Sequence, residues 1–212
     1  MNKSQLKIKV CGMRRREDIA LLNNLSPDFL GYIFYPRSPR YVGSNPDPGI
    51  FSLPAPGIMK TGVFVDEDIR KIHKTAGLYA LDAVQLHGEE SPEQCRILKD
   101  SGLIVIKAVA ADKIRHKPGR VYAGAVDFLL YDSPGPGKGG TGRKFNWDLI
   151  DQEAEIPFFL SGGIGTGDEE EIKSLKFESL AGIDVNSRFE LAPGIKDIKA
   201  LEKFINRIRN EE

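Results

Sequence analysis

Cysteine and histidine are scarce in this chain, and neither sign of charge is in excess. Among 212 residues there are two Cys, three His and one Trp, and 30 Lys+Arg stand against 30 Asp+Glu. Cys11 and Cys95 fit no C-x-x-C spacing, and His73, His87 and His116 are far apart, so neither a disulfide scaffold nor a metal site is suggested. So few cysteines suit a reducing compartment, and a cytoplasmic location is expected. Zero formal charge argues against electrostatic binding of nucleic acid or of a membrane surface. No apolar run approaches the length of a membrane span, and residues 1–10 alternate polar with apolar side chains instead of forming a secretion signal.

What the chain does have is a rhythm. Short apolar or β-branched runs recur at Leu6–Cys11, Phe29–Phe34, Met59–Val65, Ala83–His87, Leu103–Val109, Asp127–Asp132, Pro157–Ser161 and Leu180–Val185. Their continuous apolar character suits strands covered on both faces. Five intervening segments predict helices: Arg16–Leu25, Asp66–Ala76, Ser91–Asp100, Asp168–Leu175 and Asp197–Arg209. Ser91-Pro92-Glu93-Gln94 reads as a helix start with a capping box, and Gly102 as the stop. Two crossings are poor helices. Residues 44–57 carry Pro46, Pro48, Pro54 and Pro56, and residues 110–124 contain Pro118-Gly119. Eight strands with these crossings predict an α/β fold, a (β/α)8 TIM barrel in a single domain over residues 1–212, with degenerate second and fifth crossover helices.

In such a barrel the chemistry lies where the strands end at their carboxyl termini. Strand one ends in Cys11-Gly12, and strand two leads into Ser38-Pro39-Arg40. Strand three ends at Asp66 and strand four at His87. Strand six ends in Asp132, strand seven in Ser161-Gly162-Gly163, and strand eight in Asp184-Val185-Asn186-Ser187. Small residues after strands seven and eight let backbone N–H groups close on an anion, which points to a phosphorylated small molecule. Gly135 to Gly140 satisfies G-x-G-x-x-G, but more glycine and two cations follow where a helix should open, and Lys138 precedes Gly139 where a Walker motif needs Ser or Thr. A lid over the barrel mouth is the better reading of residues 133–144.

Cys11 is expected near Arg14, Arg15 and Arg16, whose charge would favour a thiolate. Asp132, behind Phe128-Leu129-Leu130-Tyr131, is expected in apolar surroundings that favour a neutral carboxyl group, and so as an acid. Cys95 reads as packing.

Taken in order, Lys9-Val10-Cys11-Gly12, Ser38-Pro39-Arg40-Tyr41, Val84-Gln85-Leu86-His87-Gly88, Leu130-Tyr131-Asp132, Leu160-Ser161-Gly162-Gly163 and Gly182 to Ser187 with Gly194 to Asp197 resemble phosphoribosylanthranilate isomerase across essentially the whole chain. The resemblance implies an Amadori rearrangement in tryptophan synthesis, without metal, nucleotide or flavin. It implies a general base at Cys11 and a general acid at Asp132. It also implies that Arg40 meets the anthranilate carboxylate and that Gly162, Gly163, Asn186 and Ser187 lie around the phosphate, with Asp184 near the substrate. Arg188 stands where many relatives have glycine. The assembly is read as monomer or homodimer. A rival is the analogous isomerase of histidine synthesis, which is expected to place an aspartate where this chain has Cys11; a non-catalytic phosphosugar-binding barrel is another. Indole-glycerol-phosphate synthase is disfavoured because its lysines have no counterpart here, unless Lys107 serves as an outlier.

Overall fold

The computed structural model describes residues 6–134, 144–150 and 155–209. Eight parallel strands close on themselves: β1 (Lys7–Val10), β2 (Phe29–Ile33), β3 (Met59–Phe64), β4 (Ala83–Leu86), β5 (Ile104–Ala110), β6 (Phe128–Asp132), β7 (Phe158–Leu160) and β8 (Leu180–Val185). Closure is made by β1 against β8, with Lys9 opposite Asp184 and Val10 opposite Val185. The strands are those expected from the apolar runs, most of them a residue shorter at one end or both, with β5 running one residue further, to Ala110.

Helices α1 (Arg16–Asn23), α3 (Ile69–Tyr79), α4 (Pro92–Asp100), α6 (Glu169–Ser174) and α7 (Ile198–Arg209) cover the strands. The capping box at α4 forms as the sequence predicts: Ser91 Oγ accepts from Gln94 N and Gln94 Oε1 accepts from Ser91 N. Such caps contribute about 1 kcal/mol. On α7, Leu201, Phe204, Ile205 and Ile208 form the buried stripe. The proline-rich second crossing is reduced to α2 (Gly49–Ser52), and the fifth to a 3₁₀ turn (Ala111–His116) followed by α5 (Pro118–Val121). Proline removes the backbone donors that a longer helix would need.

One addition was not expected. After β8, a 3₁₀ turn (Ser187–Phe189) leads into a small antiparallel hairpin, β9 (Glu190–Ala192) with β10 (Ile195–Lys196). The hairpin is tied down at its base, because the buried Asp18 carboxylate of α1 accepts from Lys196 N at 3.0 Å and Phe189 O accepts from Asp197 N.

Side chains on alternate strand positions fill the barrel. At its amino end the filling is apolar: Phe29, Ala83, Ile106, Ala108, Leu130 and Phe159, with Met59, Ile104 and Phe128 packed against them. Phe29, Phe128 and Phe159 meet edge to face at centroid distances of 6.5, 5.5 and 5.2 Å. Such pairs add about 0.5–1.5 kcal/mol beyond the area they bury. This plug closes the cylinder from below and leaves the opposite end open.

Candidate active site

The same inward positions, followed toward the carboxyl ends of the strands, change from apolar to charged. Lys9 and Cys11 share a face of the first strand because side chains repeat every second residue. Room for the sulfur comes from Gly31 on the neighbouring strand: a Cβ there would lie 2.7 Å from Cys11 Sγ. Cys11, Arg40, Gln85, His87, Asp132, Ser161, Gly162, Gly163, Asp184, Asn186 and Ser187 line one pocket at the mouth, walled on one side by Ile33, Val63 and Val65. The barrel therefore brings the expected proton carriers, Arg40 and the small-residue loops after the seventh and eighth strands to a single concavity. Gly162 is held at φ +85°, and a side chain there would strike Ser133, so the approach of the seventh loop to the sixth requires glycine.

Asp132 is buried, accepts from Ser133 N at 2.8 Å through Oδ1, and faces His87 Nε2 at 3.3 Å through Oδ2. The amide nitrogen of Gln85 donates to His87 Nδ1 at 2.8 Å, so the ring proton sits on Nε2, pointing at the carboxylate. His87 was read only as a strand end; its spacing of two residues from Gln85, which puts both on the inner face, is the signal that could have found it.

The surroundings of Cys11 correct the sequence reading. Arg14, Arg15 and Arg16 do not turn toward it. Arg14 donates to Pro39 O, Arg15 lies by Glu17 and Asp18, and Arg16 pairs with Asp47. The cations that reach the thiol are Lys9 and Lys196, both buried. Nor is the thiol lowered. Burial pushes it up, against the pull of the two lysines, and the nearby Asp184 adds to the rise.

Lys9 Nζ donates to Asp184 Oδ1 at 2.8 Å. Burial works against this ammonium, but Asp184 and the Cys11 sulfur outweigh it and hold its pKa above the ordinary lysine value. The Asp184 carboxyl is pushed up by burial despite Lys9, with Asp132 contributing in the same direction. Arg40 is engaged twice over by Glu190, through Nε at 2.9 Å and Nη2 at 2.7 Å. Glu190 also takes Lys196 Nζ at 2.9 Å, and burial, which would raise its carboxyl, is outweighed by these two cations.

Two other expectations move. The third strand stops at Phe64, and Asp66 (φ +49°) turns from the pocket and accepts from Glu89 N. Lys107 sits between Ile106 and Ala108, which face the interior, and so points the other way, bonded to Glu90, Leu86 O, Gly88 O and Ala108 O. It braces the loop after the fourth strand and serves no synthase-type role in the mouth. Of the glycine-rich segment, residues 135–143 lie outside the described residues.

Comparison with known proteins decides what this pocket is for. Residues 8–207 match the model of the family described as N-(5'phosphoribosyl)anthranilate (PRA) isomerase. The chain belongs to this isomerase family. An N-(5'-phosphoribosyl)anthranilate isomerase of Phocaeicola vulgatus is 41% identical over 207 residues, spanning 96% of this chain and 98% of its own. The crystal structure of the Thermotoga maritima phosphoribosyl anthranilate isomerase superimposes with a TM-score of 0.85 at 32% identity, over 97% of this chain and 99% of that one. A further isomerase structure, solved with reduced 1-(o-carboxyphenylamino)-1-deoxyribulose 5-phosphate, matches at 0.81 and 30% identity, covering 97% and 99%. The barrel is thus that of an isomerase of tryptophan biosynthesis, which performs the Amadori rearrangement of N-(5'-phosphoribosyl)anthranilate.

Proposed function

We propose that Cys11 is the general base and Asp132 the general acid of this isomerisation. The observation that carries the assignment is their convergence: the sulfur at the end of the first strand and the carboxyl at the end of the sixth line one pocket, and both are buried. Asp132 donates a proton to the furanose ring oxygen as the anilinic nitrogen forms an iminium and the C1'–O bond breaks. The Cys11 thiolate then takes the C2' proton, and the electron pair of that C–H bond moves toward the iminium carbon to give an enolamine. Tautomerisation yields the 1-deoxyribulose 5-phosphate product. The substrate carries its own electron sink, so the protein supplies two proton transfers, orientation and exclusion of water.

His87, bonded to Gln85 behind it, fixes the direction of the Asp132 carboxyl. Arg40 reaches the anthranilate carboxylate, its Nε and Nη2 held by Glu190 so that the guanidinium plane is set before substrate arrives. Gly162, Gly163, Asn186 and Ser187 receive the phosphate, and Asp184 lies beside the sugar. The whole chain acts as one barrel domain, a reading supported by strand closure between its first and last strands. A monomer or homodimer in the cytoplasm, acting on a small phosphorylated substrate and on neither nucleic acid nor membrane, suits the balanced charge; among the described residues no helix is long and apolar enough to cross a membrane.

Replacing each proton carrier tests the pair. Cys11→Ser and Asp132→Asn are each expected to lower kcat at least about 10²-fold with KM little changed, measured by the decay of anthranilate fluorescence. The thiolate fraction grows as pH rises, so kcat/KM is expected to climb with pH through the raised thiol titration. Near-normal turnover in either variant would remove that residue from its role.

A further inference from the structure

The ionised groups around the sulfur do not balance. Lys9, Lys196 and Arg40 bring three positive charges, while Asp184 and Glu190, the carboxylates bonded to them, bring two negative ones. Asp132, the proton-bearing acid of the proposed reaction, adds no charge, and the neutral His87 faces it. The cluster is therefore one anion short on the side where Cys11 sits.

Lys196 reaches this place from the hairpin, as Glu190 does. Its backbone N–H is fixed by Asp18 of the first helix, and its side chain is threaded inward from the hairpin until none of it is exposed. There Nζ donates to Asn186 Oδ1 at 2.9 Å and Glu190 Oε1 at 2.9 Å. The same Asn186 oxygen lies 2.7 Å from where a Cβ on Gly12, the residue after Cys11, would stand. Lys9 approaches from below, two positions before Cys11 on the same inward face, and its charge bears on the sulfur.

We infer that Lys196 is a positioning residue for the known reaction: with Lys9, it supplies the positive charge that lets the buried Cys11 sulfur become the thiolate base. Without it, the remaining cations are matched by Asp184 and Glu190, and a thiolate would be a surplus anion in a buried pocket. That is an expensive state. Burial raises the Cys11 thiol and Asp184 adds to the rise, while Lys9 and, behind it, Lys196 pull it down. The hairpin thereby acquires a task besides covering the barrel.

The inference rests on Cys11 being the base, yet the two can fail separately. The rate of alkylation of Cys11 by iodoacetamide, followed against pH by peptide mass spectrometry to separate it from Cys95, reads the thiol directly, whatever it does in turnover. In Lys196→Met the alkylation midpoint is expected to rise by about one pH unit or more, corresponding to roughly tenfold less thiolate at a given lower pH. The ascending limb of kcat/KM should move with it. Lys196→Arg, which keeps the charge, should return both toward the parent. Lys196→Gln retains a donor for Asn186 and Glu190 without the charge and should repeat the shift, which guards against a packing defect in the methionine variant. A midpoint unchanged in folded Lys196→Met and Lys196→Gln, or shifted equally in Lys196→Arg, overturns the inference. A shifted midpoint alongside normal turnover in Cys11→Ser would instead leave the lysine's effect standing and remove the base.

Discussion

The two ends of the barrel interior lie along the same eight strands, with a loop and a hairpin added at the mouth, yet they solve opposite problems. At the amino end Phe29, Phe128 and Phe159 interlock with aliphatic neighbours and leave no polar work to do. At the carboxyl end Lys9, Asp184, Lys196, Glu190 and Arg40 are nearly as buried but are held by ion pairs. Buried ion pairs contribute little net stability, because the desolvation of two charges offsets their attraction. The difference teaches that the plug carries the fold and the mouth carries the chemistry, and that one can be altered with limited effect on the other.

The sharpest way to break that division is from below. Phe159→Ala removes a fully buried ring at the centre of the plug and is expected to destabilise by about 3–5 kcal/mol, seen as a lower midpoint in urea. Measured well below its melting temperature, the folded enzyme should keep its KM; a large rise in KM would mean that the plug also shapes the pocket. A smaller effect is expected from above. His87→Phe deletes the donor facing Asp132 and should reduce kcat about tenfold, roughly 1.4 kcal/mol in the barrier, with KM and thermal midpoint close to parent. If KM rises and kcat does not, His87 binds substrate and does not orient the acid. The smallest effect tests the hairpin. Leu191 is 74% exposed beside Glu190, and Leu191→Ser should change stability by no more than about 0.5 kcal/mol and leave turnover alone, since the hairpin works through Glu190 and Lys196.

The barrel was legible because its strands are continuous apolar runs at a regular spacing, and the failed helices were legible because proline at 46, 48, 54 and 56 leaves no other outcome. Cys11, Asp132, Arg40 and the two small-residue loops could be found from strand ends alone. Lys9 could not, because a lysine between Ile8 and Val10 looks like the wet side of a strand; only its phase with Cys11 places it inside. Lys107 carries the same local pattern between Ile106 and Ala108 and faces the opposite layer, so phase relative to a known interior residue is the information needed. Glu190 and Lys196 lie on strands of three and two residues, too short for any periodicity to register. The arginines after Cys11 misled because nearness in sequence is not nearness in space: past Gly12 the chain turns outward, and Arg16 ends on Asp47.

The bond from Asp18 to the backbone of Lys196 joins segments made 178 residues apart. The Cys11 sulfur is made together with Lys9, but the rest of its ionic surroundings is completed only by residues 184 to 196. A nascent chain therefore carries the thiol before the later charges that act on it, and the ionic setting is complete only when the cylinder shuts. Catalytic competence becomes a report on completed folding, and a chain stalled before its final strand would be chemically mute.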